Sequence, residues 1–187
     1  CYTEGISKVS AEDVANAESL GYRIKHLGLT RRTEVGIELR VHPTLIPEKR
    51  LSANVHGVMN AVLVDGNAVG PTMYYGAGAG AEPTASSIVA DLVDVVRDMA
   101  VDQNVRMPSL AFQQDAMSDS PILQMDNVVT AFYMRMAVSD KPGVLAQITQ
   151  ILGNAGISIE AIRQQTHVSS QVPVIILTRP VLEGHMN

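Results

Sequence analysis

Hydrophobic and polar positions along the chain change period several times, and each change predicts an element. Ser10 stands three positions before Asp13 in a capping-box arrangement, and Val14, Ala17, Gly21, Ile24 and Leu27 follow at spacings of three and four. This predicts a helix over 10–27, with Gly28 as its stop. From 34 to 41 the period becomes two, with Val35, Ile37, Leu39 and Val41 on one face and Glu34, Gly36, Glu38 and Arg40 on the other, the pattern of a half-buried strand. The apolar runs 55–64 and 68–75 flank Asp65-Gly66-Asn67, a hairpin signal. After the glycine-rich stretch 76–80, Pro83 opens a helix whose single apolar face carries Ile88, Val89, Leu92, Val95, Val96 and Met99.

Residues 102–125 lose all periodicity and read as a connector. Beyond them come a strand over 128–138 and a helix started by Lys141-Pro142-Gly143, which carries Val144, Leu145, Ile148, Ile151 and Leu152. Gly153 is expected to close that helix with a positive φ. Strands follow over 157–162 and 172–178, joined by a polar turn through Ser169-Ser170-Gln171. Strand–helix–strand–strand is the opening of a ferredoxin-like unit, which needs one more helix and strand. The last nine residues do not supply them, so the apolar 172–178 strand is expected to lack its cover. The expected class is α+β: a mixed β-sheet domain over 1–107, a linker over 108–125, and a partial ferredoxin-like βαββ domain over 126–187.

Composition narrows the function classes. The 187 residues are 46% hydrophobic and 18% charged, which fits an ordered globular chain, and no apolar run approaches the roughly 18 residues that span a bilayer. Fourteen Lys+Arg against 19 Asp+Glu give −5, against a nucleic-acid partner. The single cysteine, Cys1, excludes an internal disulfide and a multi-cysteine zinc site, and a reducing, cytoplasmic setting fits it. The five histidines share no metal-ligand spacing, and no nucleophile elbow or P-loop occurs. Because the chain begins with Cys1 rather than Met, it is expected to be a piece of something longer.

Two stretches could carry chemistry. Gly76-x-Gly78-x-x-Ala81 sits between a strand and a helix, but the following sequence lacks the second parallel strand of a dinucleotide fold. These glycines serve either tight packing or close approach to an anion at the next helix start. In Ser139-Asp140-Lys141-Pro142-Gly143, Asp140 either caps the helix or holds an ammonium group, while the exposed amides could take a carboxylate.

Two groups of residues converge on one family. Tyr2-Thr3-Glu4-Gly5-Ile6, Leu20-Gly21-Tyr22-Arg23-Ile24-Lys25-His26-Leu27-Gly28, Val41-His42-Pro43-Thr44-Leu45-Ile46-Pro47 and Gly76-Ala77-Gly78-Ala79-Gly80-Ala81-Glu82-Pro83-Thr84-Ala85 together resemble the carboxyl-terminal half of a homoserine dehydrogenase catalytic region. Ser139 to Ala146 and Asn154-Ala155-Gly156-Ile157 resemble an ACT regulatory domain, the usual carboxyl-terminal appendage of monofunctional bacterial members.

The resemblance implies NAD(P)-dependent interconversion of L-homoserine and L-aspartate 4-semialdehyde, on the route to threonine, methionine and isoleucine. It implies a sheet used for substrate binding and dimerisation, a homodimer or homotetramer, and feedback by an amino acid, with threonine the family expectation. Gly80 and Thr84 match positions that approach the cofactor. Asp140, Gly143, Val144, Asn154 and Ile157 fall where an effector would sit. The family's Rossmann domain, its acid/base lysine and its homoserine-holding acids would lie before Tyr2, so no catalytic or metal residue is assigned, and the chain alone is expected to be inactive. The tail 183–187 resembles the first turn of a second ACT helix. The rival reading is a non-enzymatic amino-acid-sensing ACT protein on an α/β dimerisation platform.

Overall fold

A computed structural model describes residues 1–102, 108, 111–112, 114–164 and 171–186. In chain order the elements are β1 (Tyr2–Thr3), α1 (Ala11–Ser19), β2 (Tyr22–Thr33), β3 (Gly36–Pro47), β4 (Met59–Gly66), β5 (Gly70–Ala77), α2 (Ala81–Met99), β6 (Val129–Thr130), β7 (Tyr133–Ser139), α3 (Val144–Asn154), β8 (Ile159–Gln164), β9 (Gln171–Thr178) and β10 (Val181–Leu182), with short 3-10 turns between some of them. The class is α+β. Contacts group the chain into two compact units, Cys1–Leu45 with Ser120–Asn187, and Ile46–Asp119.

The first unit begins with α1, whose capping box forms: the Ser10 side chain accepts from the Asp13 amide, and the Asp13 carboxylate accepts from the Ser10 amide. The helix ends at Ser19, however, and residues 22–27, expected to be helical, are the start of β2. Gly21 at φ +79° turns the chain out of the helix, so the three-residue spacing of Gly21, Ile24 and Leu27 is coincidental. β3 lies between β1 and β2, and pairs with β1 in parallel. Its charged face is the more deeply buried one: Glu38 and Arg40 are buried, while Ile37, Leu39 and Val41 are half-buried and Val35 is exposed in the turn before it. Residues 121–123 run beside β3, with the Ile37 amide donating to the Pro121 carbonyl at 2.8 Å and the Leu123 amide to the Ile37 carbonyl at 2.9 Å. Gly36 is required there, since a Cβ would sit 2.5 Å from the Pro121 oxygen.

The rest of the first unit is a βαββ arrangement with sheet order β7-β9-β8, all pairs antiparallel. The expected single strand over 128–138 breaks at Ala131-Phe132. β6 pairs instead with β10, and Phe132 is held by Thr178, whose hydroxyl accepts from the Phe132 amide at 2.9 Å. Leu152, Ile157, Val174 and Ile176 form the core, with Met134, Met136, Val138, Leu145 and Ile148 packed on it. α3 is closed by Gly156 at φ +73°, not by Gly153, because the left-handed residue must follow the last helical turn. The Ser169-Ser170 turn lies outside the described residues.

β9 is covered, contrary to expectation: Val172, Val174, Ile175, Ile176, Leu177 and Thr178 are all buried. α3 covers the face of Val174 and Ile176. On the other face α1 binds the neighbouring strands, through Tyr133 and Arg135 of β7 to Asp13 and through Arg163 of β8 to Ser19, while the Tyr22 hydroxyl donates to Glu160 at 3.2 Å. A segment early in the sequence thus takes the place that the sequence pattern left empty.

In the second unit β4 and β5 form an antiparallel hairpin, as Asp65-Gly66 suggested. The turn is shifted onto Asn67, Ala68 and Val69, and Gly70 at φ +76° begins the return strand. α2 begins at Ala81, about two turns before Ile88, with Pro83 in its first turn where a missing N–H costs nothing. None of its residues is buried.

Candidate functional site

The first unit contains a cavity of about 540 Å³ between its leading segments and the βαββ sheet. Tyr2, Glu4, Arg40 and His42 of the first sheet line it, with Tyr133, Arg135 and Thr178 of the second and Glu183 from the turn after β10. Ile24, Phe132 and Leu177 add apolar wall.

Two ion pairs border this space and differ in completeness. Asp13 is saturated: Oδ1 accepts from Arg135 Nε at 2.6 Å and from the Tyr133 hydroxyl at 3.0 Å, and Oδ2 accepts from the Ser10 hydroxyl at 2.7 Å and the Ser10 amide at 2.9 Å. Burial pushes the Asp13 carboxyl up, but hydrogen bonds from Arg135, Ser10 and Tyr133 outweigh it and hold the group well below the usual carboxylate range. Burial first, and donation to Asp13 second, push the Tyr133 hydroxyl up to about 12.

Arg40 is less completely paired. It is 5% exposed, and its Nη2 lies 2.8 Å from Glu38 Oε1. Glu38 also faces Arg31 at 3.3 Å, so one buried carboxylate serves two guanidinium groups. Arg40 Nε and Nη1 are buried without a partner, as is Glu183 Oε2. Around Glu183, burial raises the carboxyl most, Arg40 and His42 oppose that, and Asp126 and Glu4 add to it. The Tyr2 and His42 rings meet edge-on with centroids 6.2 Å apart, and the Tyr2 hydroxyl donates to Glu4 at 3.1 Å.

The glycine stretch lies in the second unit. Gly78 donates its amide to the Val58 carbonyl at 2.9 Å, and the Asn60 side chain occupies the space a Cβ would need. Gly80 is the N-cap of α2 at φ +123°, a conformation that L side chains rarely adopt, and no side chain caps the helix. The Thr84 amide already donates to the Gly80 carbonyl at 3.1 Å, and Pro83 has no N–H, so the Ala81 and Glu82 amides are the donors left for an anion at this helix start.

At the other candidate, Gly143 is the N-cap of α3 at φ +90°, with no side-chain cap, so Asp140 does not cap the helix and is exposed. Val144 opens α3 and Asn154 ends it, about 15 Å apart at a helical rise of about 1.5 Å per residue. The Asn154 side chain accepts from Gln150 at 2.8 Å; Ile157 is a core residue whose amide donates to the Leu152 carbonyl at 2.9 Å. Within one chain these five positions do not converge on one small ligand. Sequence reasoning missed the cavity residues Arg40, His42 and Glu183. For Arg40 the one signal is the charged face of the 34–41 strand, since alternation does not say which face is buried; His42 and Glu183 carry no local signal.

Among known proteins, the family model described as Homoserine dehydrogenase matches residues 1–93, and the ACT domain model matches 133–184. The chain is 60% identical over 188 residues to the homoserine dehydrogenase of Pseudomonas aeruginosa and 51% identical over 187 residues to that of Neisseria gonorrhoeae, covering 100% of itself and 43% of each. The crystal structure of a homoserine dehydrogenase from Thiobacillus denitrificans superposes with a TM-score of 0.89 at 61% identity, again over the whole of this chain and 42% of that one. The chain therefore spans less than half the length of the relatives it matches. Among the described residues no helix is long and apolar enough to cross a membrane.

Proposed function

Since the chain belongs to the homoserine dehydrogenase family, we propose that the protein containing it interconverts L-homoserine and L-aspartate 4-semialdehyde with NAD(P) in threonine, methionine and isoleucine biosynthesis. The observation that carries this reading is the collinear match of both family models, at 60% identity to a named homoserine dehydrogenase across the full chain. In the oxidising direction the carbinol carbon gives up a hydride and the hydroxyl gives up a proton. The nicotinamide group, when bound, supplies the hydride acceptor. No residue here is assigned as the base.

The residues at the start of α2 fit an anionic part of such a cofactor. Gly80 holds a left-handed conformation that brings backbone close, the helix start has no side-chain cap, and the Ala81 and Glu82 amides are free of helical partners. Gly80 would allow the approach, and Thr84 would support the turn through the hydrogen bond its amide N–H donates to the Gly80 carbonyl. The turn at Asp140, Gly143 and Val144 is the proposed place for an amino-acid effector such as threonine. Asn154 and Ile157, at the far end of α3, could complete it only from a second ACT unit in a homodimer or homotetramer. The exposed apolar stripe of α2 supports association of this kind, in a cytoplasmic setting.

The test is homoserine-dependent NAD(P) reduction by the full-length protein, followed at 340 nm. Turnover is expected there and none from the 187-residue chain alone, while Gly80→Asp is expected to raise the cofactor KM at least tenfold. A full-length protein that binds amino acids and shows no turnover would establish the non-enzymatic sensor instead.

A further inference from the structure

Buried polar groups in folded proteins nearly always have partners, and a buried charge without one is a place where a water, ion or ligand belongs. The cavity of the first unit is lined by two groups of opposite sign that keep buried, unpartnered atoms. Arg40, 95% buried on the wall, has two unpartnered nitrogens, and Glu183 has an unpartnered carboxylate oxygen. The Asp13–Arg135 pair lining the same cavity is saturated, so incomplete pairing is a property of the Arg40–Glu183 side and not of the cavity as a whole. Glu38 faces Arg40 Nη2 through Oε1 and Arg31 through Oε2, which leaves Arg40 Nε and Nη1 unpartnered.

A ligand with one charge would satisfy one group and leave the other. A zwitterion satisfies both: its carboxylate accepts from the free Arg40 nitrogens, and its ammonium donates to Glu183, with Glu4 on the same lining. The space of about 540 Å³ falls within the range of about 300–1,000 Å³ typical of small-molecule sites, and Ile24, Phe132 and Leu177 offer apolar wall to a side chain. We propose that this cavity binds a free α-amino acid, with Arg40 holding its carboxylate and Glu183 its ammonium group. The site is separate from the turn at Asp140–Val144 and does not depend on the dehydrogenase reading.

The experiment is calorimetric titration of the full-length protein, without cofactor, with each of the twenty common L-amino acids. Acetate and methylammonium serve as single-charge probes. At least one amino acid is expected to bind in the millimolar range or tighter, and far more tightly than either single-charge probe. Arg40→Met and Glu183→Gln should each weaken it at least tenfold, with Arg40→Lys intermediate. Thermal unfolding establishes which variants fold; should Arg40→Met fail, the more exposed Glu183→Gln carries the test. No amino-acid binding, equal binding of acetate, or loss of binding in Asp140→Ala with native affinity in Arg40→Met and Glu183→Gln would each overturn the proposal. Because no turnover is measured, a protein that lacks dehydrogenase activity can still pass, and an active one can still fail.

Discussion

Strand β9 and helix α2 are both strongly apolar, and they end in opposite environments. In β9, Val174, Ile175 and Ile176 are within 1% of full burial, whereas Leu92 and Val96 of α2 are 61% and 66% exposed. An apolar pattern states that a face needs burial; where that need is met depends on what else folds against it. For β9 it is met on one face by α3 and on the other by α1, which lies more than 150 residues earlier in the sequence. Among the described residues nothing buries α2.

The largest test of that contrast removes side-chain volume from β9. Ile176→Ala should lower stability by about 2–5 kcal/mol, since it leaves a cavity at a fully buried position. Urea unfolding measures it, and a loss below about 1 kcal/mol would mean that the strand is not packed as described.

The next test concerns what ties α1 to the sheet. Asp13→Ala removes the capping box and strands Tyr133 and Arg135, at a cost of about 2 kcal/mol. The same group sets a pH dependence. Because its folded carboxyl lies below its unfolded value of about 3.9, its contribution is complete above that pH and fades as pH falls below about 4. Tyr133 acts at the other end: with its hydroxyl raised from about 10 to about 12, its contribution is present below pH 10 and is lost as pH climbs through 12. Unfolding midpoints across pH should show both limbs in the native protein, with the acid limb reduced in Asp13→Ala and the alkaline limb in Tyr133→Phe.

The smallest effect belongs to α2. Leu92→Lys should change the stability of the isolated chain by no more than about 0.5 kcal/mol, because the side chain is already exposed. It should reduce self-association seen by light scattering. A loss of more than 1 kcal/mol in the monomer would place Leu92 in a core and erase the contrast with β9.

Much of this arrangement was legible from local pattern. The Ser10–Asp13 capping box, the β4–β5 hairpin, the apolar stripe of α2 and the βαββ order are all set by residues within a few positions of one another. The errors came where two local patterns overlapped or where the environment decided. Residues 20–27 satisfy a helical spacing, yet Gly21 turns the chain and the following alternation becomes β2. Gly153 and Gly156 are both plausible helix stops, and the closing bonds select Gly156. Of the candidate site residues, Gly80 came from the family resemblance, and the structure places it at the N-cap of α2 at φ +123°, a conformation that favours glycine. The cavity was not legible, because period two assigns Glu38 and Arg40 to one face without saying that this face is the buried one.

From the sequence alone come the α+β class, the elements whose signals are short-range, and the family resemblance. Tertiary structure alone decided that α1 covers the βαββ sheet, that charged side chains of β3 point inward, and that Arg40 and Glu183 share one cavity. The physical reason is range. Caps, turns and amphipathic periods arise from neighbours along the chain, whereas burial of a charge and the pairing of its donors depend on groups brought together from distant positions.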